Sequence, residues 1–142
     1  MTVDPELVTR KLLLIASELD ALRPVGARGE AAYLASRVDQ AFVERYLERA
    51  VGRMIDVNYH VLTGAGHPPP ADDHASFVRL GEIGVLDATF AREVARAAGL
   101  RNRLVHEYEG LDSSKVFQAL TEALVDIPRY LDQVNRYLKQ SR

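Results

Sequence analysis

Residues 30–62 read EAAYLASRVDQAFVERYLERAVGRMIDVNYHVL, and this proline-free stretch decides the fold. Apolar side chains such as Val38, Phe42 and Val51 recur in it at helical spacing, which predicts one long central helix. A helix of these 33 residues would be about 50 Å long, more than a small domain spans. We therefore expect a bend or an overhanging end, with Gly52 as the weak point.

The segments on either side also have helical patterns. Asp4 followed by Pro5 is a favoured helix start, and the sequence Arg-Pro-Val-Gly at 23–26 predicts the end of that helix. Asp87 and Asp112 are placed to cap two later helices. No stretch alternates as a β-strand does. The pattern predicts an all-α protein, an up-and-down bundle of four to five helices forming a single domain over residues 1–142.

Composition limits the class of protein. Hydrophobic residues make up 47% and charged residues 27% of the 142 residues, which is typical of a globular protein with its own core. The chain has no cysteine, which excludes disulfides and thiolate metal sites. No apolar run approaches the length of a membrane span, and the acidic start does not resemble a signal peptide. We expect a cytoplasmic protein that does not contact a membrane.

Positive charge is concentrated in one segment, residues 99–108, GLRNRLVHEY, and the residues just before it. The net charge is −2, yet four arginines lie between Arg92 and His106 against the single acid Glu93. On a helix, Arg101 would share a line with Phe90 and other apolar residues. A guanidinium on an apolar stripe is costly unless an anion meets it. This segment is therefore the candidate site for an anionic ligand.

The other faces of this helix also differ in character. Asn102 and His106, four residues apart, share the face next to Arg101. That face continues backwards as a lane of small side chains that would let another helix come close: Ala88, Ala91, Ala95 and Gly99. Arg92, Arg96 and Arg103 fall on the solvent side. An alternative is that His106 and the arginines merely stabilise the helix C-terminus through its dipole.

Several other histidine and aspartate residues are candidates for a metal or catalytic site. Asp56 and His60 lie four apart on the central helix and could be a metal pair or part of the catalytic site, but two ligands without a third make no metal site. We favour a hydrogen bond on the helix surface. His67 and His74 flank a proline-rich loop and are expected to be exposed.

The central helix also carries a row of arginines at positions 45, 49 and 53. This row is expected to be a solvated face, with Glu48 and Asp56 as near partners.

The segment Arg101-Asn102-x3-His106-x-Tyr108 resembles the signature of HEPN domains, specifically that of the HepT-like toxins of bacterial and archaeal toxin–antitoxin pairs. The order of central helix, proline loop and motif helix matches the family over residues 5–138. The resemblance implies one HEPN-like helical domain and a homodimer with the motif lining a shared cleft. It also implies a minimal nucleotidyltransferase antitoxin as partner, which transfers AMP to the tyrosine that Tyr108 matches.

The sequence has no metal-ligand set, no glycine-rich phosphate loop and no cysteine, which leaves metal-independent cleavage of RNA without a cofactor. In that reaction the ribose 2′-OH attacks the adjacent phosphate. His106 would transfer a proton near neutral pH, Arg101 would clamp the phosphate, and Asn102 would orient either group. Arg103 and Arg96 are further candidates for binding the RNA substrate.

Arg101 and His106 point about 140° apart on one helix, so one motif cannot surround a phosphate. A twofold homodimer packed along the small-residue lane would bring two motifs to one cleft. The alternative function is a non-catalytic HEPN module that binds a nucleotide or a protein, which the net negative charge and the acids Glu107 and Glu109 favour. In that case Arg101 and His106 only bind a ligand. For Tyr108, the alternative to modification is a buried anchor at the end of the apolar stripe.

Overall fold

The computed structural model describes residues 2–106 and 110–140, and every regular element in this part of the chain is an α-helix. The predicted all-α class is therefore confirmed. None of the described helices combines the length and apolarity needed to cross a bilayer. The helices are α1 (Pro5–Ala27), α2 (Glu30–Leu34), α3 (Arg37–Gly64), α4 (Asp73–Glu82), α5 (Ala88–Val94), α6 (Arg96–His106) and α7 (Ser113–Gln140).

The expected count of four to five helices holds for the five segments that have ten or more residues: α1, α3, α4, α6 and α7. The short helices α2 and α5 arise because two expected helices are each interrupted once. Helix α5 ends at Val94, and its C-cap residue Ala95 lies directly before α6. The motif helix is therefore two segments, and its early and late residues do not follow one continuous wheel.

The long central helix is present but begins later than predicted. Ser36 has an extended backbone and accepts a hydrogen bond from the Asp39 amide at 3.1 Å, which starts α3 and separates it from α2. The 28 residues of α3 span about 42 Å. Gly52 lies inside α3, so the prediction that this glycine is the weak point is wrong. The chain breaks at the serine cap instead.

Helix starts follow the predicted caps. Asp4 accepts from the amides of Glu6 and Leu7, with Pro5 at the first helical position. Asp87 caps α5 and Asp112 caps α7. The predicted end of α1 is slightly early, because Pro24 lies inside the helix, which continues to Ala27. Helix α7 likewise runs through Pro128 to Gln140.

Helix α3 is central in its contacts, since it packs against α1, α2, α4, α6 and α7. Two groups of buried side chains surround it. The first joins the C-terminal half of α3 to α1, α4, α5 and the end of α7. The second joins the N-terminal half of α3 to α2, α6 and the start of α7. Helix α6 therefore belongs mainly to the second core group.

The arginine row on α3 is only partly the solvated face that the sequence predicts. Arg45 pairs with Glu48 at 3.5 Å, as expected. Arg49 and Arg53, however, both reach Glu18 on α1, at 2.9 Å and 2.7 Å between charged atoms. Glu18 is only 5% exposed. These two arginines therefore fasten α3 to α1, a contact that spacing within α3 cannot predict.

Candidate active site

Helix α6 carries the motif and is anchored by its apolar side. Leu100 and Leu104 are buried and pack with Val43 and Leu47 of α3. Because these leucines face inwards, the side chains of Asn102 and His106 are exposed. Neither makes a hydrogen bond or ion pair with another residue in the described part of the chain. The prediction that they share an accessible face is consistent with this exposure.

Arg101 lies partly buried between α6 and α3. Its Nε atom is buried and has no hydrogen-bond partner within residues 2–106 and 110–140. No carboxylate in that part of the chain forms an ion pair with its guanidinium. Phe90, Val94 and Ala98, which the sequence predicts to be apolar neighbours of Arg101, are buried. A positive charge thus lies at the edge of the core, uncompensated by any described acid, which suits an anionic ligand.

The Arg101 side chain packs against Gly52 of α3. A Cβ atom placed at Gly52 would lie 3.1 Å from Arg101 Nε and 3.7 Å from its Cζ. The guanidinium therefore lies directly on the α3 backbone. The sequence predicts a weak point in the helix at Gly52 and not this contact, because a glycine inside a helix lowers its stability and Arg101 lies far along the chain.

The two further arginines of the site differ from each other. Arg103 is exposed and makes no ion pair among the described residues. Arg96 binds two carboxylates of α7, with Nε 3.2 Å from Glu122 and a terminal nitrogen 3.0 Å from Asp126. The charge of Arg96 is already balanced within the chain. This argues against its predicted role in binding substrate and gives it one in joining α6 to α7.

A cleft of about 110 Å³ opens between α3, α6 and α7 beside these arginines. Its floor is apolar and includes Met54, Leu100 and Ile127, while Arg96 and Arg103 stand at its rim with Glu122 and Asp126. The position of these two acids beside the site is not predictable from the motif, because they belong to α7, which begins several residues after it. Their spacing of four on α7 was the available signal.

The lane of small side chains does not form a free surface. Ala91 and Ala95 are fully buried in the chain. Helix α4 covers part of the lane, since a Cβ at Gly81 would lie 2.7 Å from Ala91 Cβ and 3.2 Å from Ala88 Cα. The prediction that a second subunit packs along this lane is therefore wrong. The homodimer itself stays a prediction.

The other titratable candidates lie apart from the motif. His60 Nε2 accepts a hydrogen bond from the Asp4 backbone amide at 3.0 Å, and Asp56 pairs with Lys11 at 3.4 Å. The predicted hydrogen bond between Asp56 and His60 is therefore wrong. His74 is exposed as expected, whereas His67 is partly buried. In the described ranges, no three His, Cys, Asp or Glu side chains are grouped to hold a metal ion.

Tyr108, the predicted acceptor of AMP, lies outside the described residues, as do Glu107 and Glu109. The part of the motif that the structure describes ends at His106. It consists of the Arg101 guanidinium against α3, the exposed Asn102 and His106, and the unpaired Arg103 beside the cleft.

Comparison with known proteins places the chain in a family. The model of the family described as "Ribonuclease HepT-like" matches residues 15–134. The chain belongs to this family. A curated relative, the tRNA nuclease HepT of Aphanizomenon flos-aquae (strain 2012/KM1/D3), is 35% identical over 136 residues, which are 96% of this chain and 92% of the relative.

Solved structures agree on the HepT-like fold. YutE, a cytosolic protein of unknown function from Bacillus subtilis, has a TM-score of 0.83 at 16% identity, covering 98% of this chain and 93% of YutE. A chain from the crystal structure of a toxin–antitoxin with AMP-PNP has a TM-score of 0.82 at 20% identity. That alignment covers 92% of this chain and 98% of the other. The HEPN-like bundle is thus shared by proteins of low sequence similarity.

Proposed function

We propose that this HepT-like chain is the toxin of a toxin–antitoxin pair and cleaves RNA as a metal-independent endoribonuclease. The observation that carries the proposal is the Arg101 guanidinium, which no acid in the described part of the chain neutralises. It lies on the same helix as the exposed His106. A fixed cation can stabilise the charge on the reacting phosphate, and an imidazole can transfer protons, so together they can promote RNA cleavage through the 2′-OH.

The reaction needs no nucleophile from the protein. The ribose 2′-oxygen attacks the adjacent phosphorus, the bond from phosphorus to the 5′-oxygen breaks, and the products end in a 2′,3′-cyclic phosphate and a 5′-OH. A proton leaves the 2′-OH and another reaches the departing 5′-oxygen, which are the transfers assigned to His106. Arg101 stabilises the negative charge that grows on the non-bridging oxygens. Asn102 orients the phosphate or the imidazole.

The Arg101 guanidinium and the His106 imidazole, which share this reaction, lie on different faces of α6. Arg101 turns towards α3 while His106 is exposed, and five residues separate them by about 7.5 Å along the helix axis. We therefore infer a homodimer in which the His106 of each copy and the Arg101 of the other line a common cleft. Since α4 covers part of the small-residue lane, we propose that the dimer contact uses the exposed side of α6 instead.

The substrate and partner follow from the relatives. Because one relative is named a tRNA nuclease, tRNA is the RNA to test first. One solved neighbour is a toxin–antitoxin structure with an ATP analogue, which supports a nucleotidyltransferase antitoxin that transfers AMP to Tyr108. An AMP phosphate there would compete with RNA for the arginines. Incubation with ATP and the antitoxin should add one AMP mass to the wild type and none to Tyr108→Phe.

The deciding experiment is incubation of tRNA with purified wild type, His106→Ala and His74→Ala in the presence of EDTA. His74 is an exposed histidine on α4 outside the motif and serves as the matched control. We expect wild type and His74→Ala to leave 2′,3′-cyclic phosphate ends and His106→Ala to leave the RNA intact. Equal cutting by all three indicates a contaminant. If none cuts, the binding-module function replaces the nuclease.

A further inference from the structure

Gly52 occupies an unfavourable position for a glycine. It lies in the interior of α3, a helix of 28 residues, where glycine destabilises a helix relative to alanine because its backbone loses more freedom on folding. Its backbone is helical rather than left-handed, so no turn requires it. Local conformation therefore does not explain why a glycine stands here.

What the glycine provides is space for one side chain. The three nearest atoms to a Cβ built at Gly52 all belong to Arg101, at 3.1 Å for Nε and 3.7 Å for Cζ and a terminal nitrogen. A contact of 3.1 Å is tighter than most real Cβ contacts, so an alanine would force the guanidinium to shift. Arg101 has no described ion pair that could hold it in place instead.

We propose that Gly52 is a positioning residue that seats the Arg101 guanidinium against α3 and sets the direction of its terminal nitrogens. This inference rests on the proposed function, in which Arg101 meets the phosphate. With Nε buried against the helix, the terminal nitrogens are the donors left to bind phosphate oxygens in a fork. Holding Arg101 by packing rather than by a carboxylate keeps its charge available. The glycine lowers the stability of α3, but it leaves the room that Arg101 needs to reach this position.

The test compares Gly52→Ala with Gly26→Ala. Both replace a glycine inside a helix and crowd one side chain, but a Cβ at Gly26 of α1 would meet the flexible end of Leu124, at 2.8 Å, and no residue of the motif. We expect Gly52→Ala to lower kcat for RNA cleavage about three- to tenfold, with a smaller change in KM, because a catalytic group loses rate when it is displaced from its productive position. Gly26→Ala should stay within about twofold of wild type.

A double-mutant cycle separates this inference from the nuclease activity. Melting temperatures are measured for wild type, Gly52→Ala, Arg101→Ala and the double variant. Gly52→Ala should raise Tm more in the Arg101→Ala background than in wild type, since only the wild-type side chain has to move. In that background it should also cause no further loss of cleavage.

Equal Tm changes in both backgrounds, or full cleavage by Gly52→Ala, would overturn the positioning role. If the Tm cycle shows coupling while wild type cleaves no RNA, the seating of Arg101 by Gly52 stands and the nuclease proposal alone fails.

Discussion

The hydroxyl of Tyr130 on α7 lies within hydrogen-bond distance of Asn58 Oδ1 on α3, and 3.0 Å from the Met54 carbonyl oxygen. Asn58 in turn donates through Nδ2 to Ser76 of α4 at 3.0 Å. All of these side chains are buried. Burial also raises the pKa of Tyr130 well above its ordinary value, which keeps the hydroxyl protonated. The contact therefore fixes α7, α3 and α4 against one another inside the core.

Tyr130→Phe is expected to lower the free energy of unfolding by about 1–3 kcal/mol, because it leaves Asn58 Oδ1 buried without its donor. Tyr33 is a matched control. It is equally buried, but its hydroxyl has no hydrogen-bond partner among the described residues. Tyr33→Phe should be neutral or stabilising in urea denaturation. Similar losses for both variants would mean that the Tyr130 contacts do not contribute.

Glu18→Gln should also destabilise the fold, by about 1–3 kcal/mol, since it removes the buried charge that meets Arg49 and Arg53. Both arginines are partly solvated, which keeps the loss below that of a fully buried pair. Asp20→Asn, which breaks the exposed pair with Arg23, should change stability by less than about 0.5 kcal/mol. Thermal unfolding of the two variants checks this, and a larger effect at Asp20 would contradict it.

Short-range signals were sufficient for most helix starts. Asp4, Asp87 and Asp112 each lie just before their helices, where a side-chain oxygen can accept from free amides. The apolar pattern failed at the start of α3, because Leu34 and Val38 continue the periodicity although they are 44% and 80% exposed. Apolar spacing alone cannot distinguish a side chain that faces the core from one that faces solvent.

The residue types of the candidate site are visible in the sequence, but their arrangement in the fold is not. The unusual placement of Arg101 is visible in the helical wheel, whereas its seat at Gly52 is a contact between distant parts of the chain. The same is true of Arg96 with Glu122 and Asp126. Such contacts depend on how helices cross, which no spacing within one helix contains. The prediction that the small-residue lane is free for a second subunit failed for the same reason, since α4 packs on part of it.

Stability should depend on pH through Glu44. Partial burial raises the pKa of its carboxyl group in the folded state, so folding favours the protonated form. The contribution of Glu44 to stability is therefore present at low pH and is lost as pH rises through the raised pKa. Glu44→Gln should be more stable than wild type at pH 7, with the difference closing towards pH ~4. Melting curves at both pH values test this; a difference independent of pH would contradict it.

The two outer arginines of α6 should separate binding from stability. Arg103→Ala is expected to weaken binding of a non-cleavable 2′-deoxy-substituted RNA about three- to tenfold and to reduce the salt slope of log K by about 0.7, the value for one phosphate on a single strand. Its Tm should not change, because Arg103 makes no described ion pair.

Arg96→Ala removes the same charge from the same helix but breaks the ion pairs with Glu122 and Asp126. It should cost about 0.5–1 kcal/mol of stability and leave the salt slope unchanged. The reverse pattern would place the RNA backbone at Arg96 and remove Arg103 from the site.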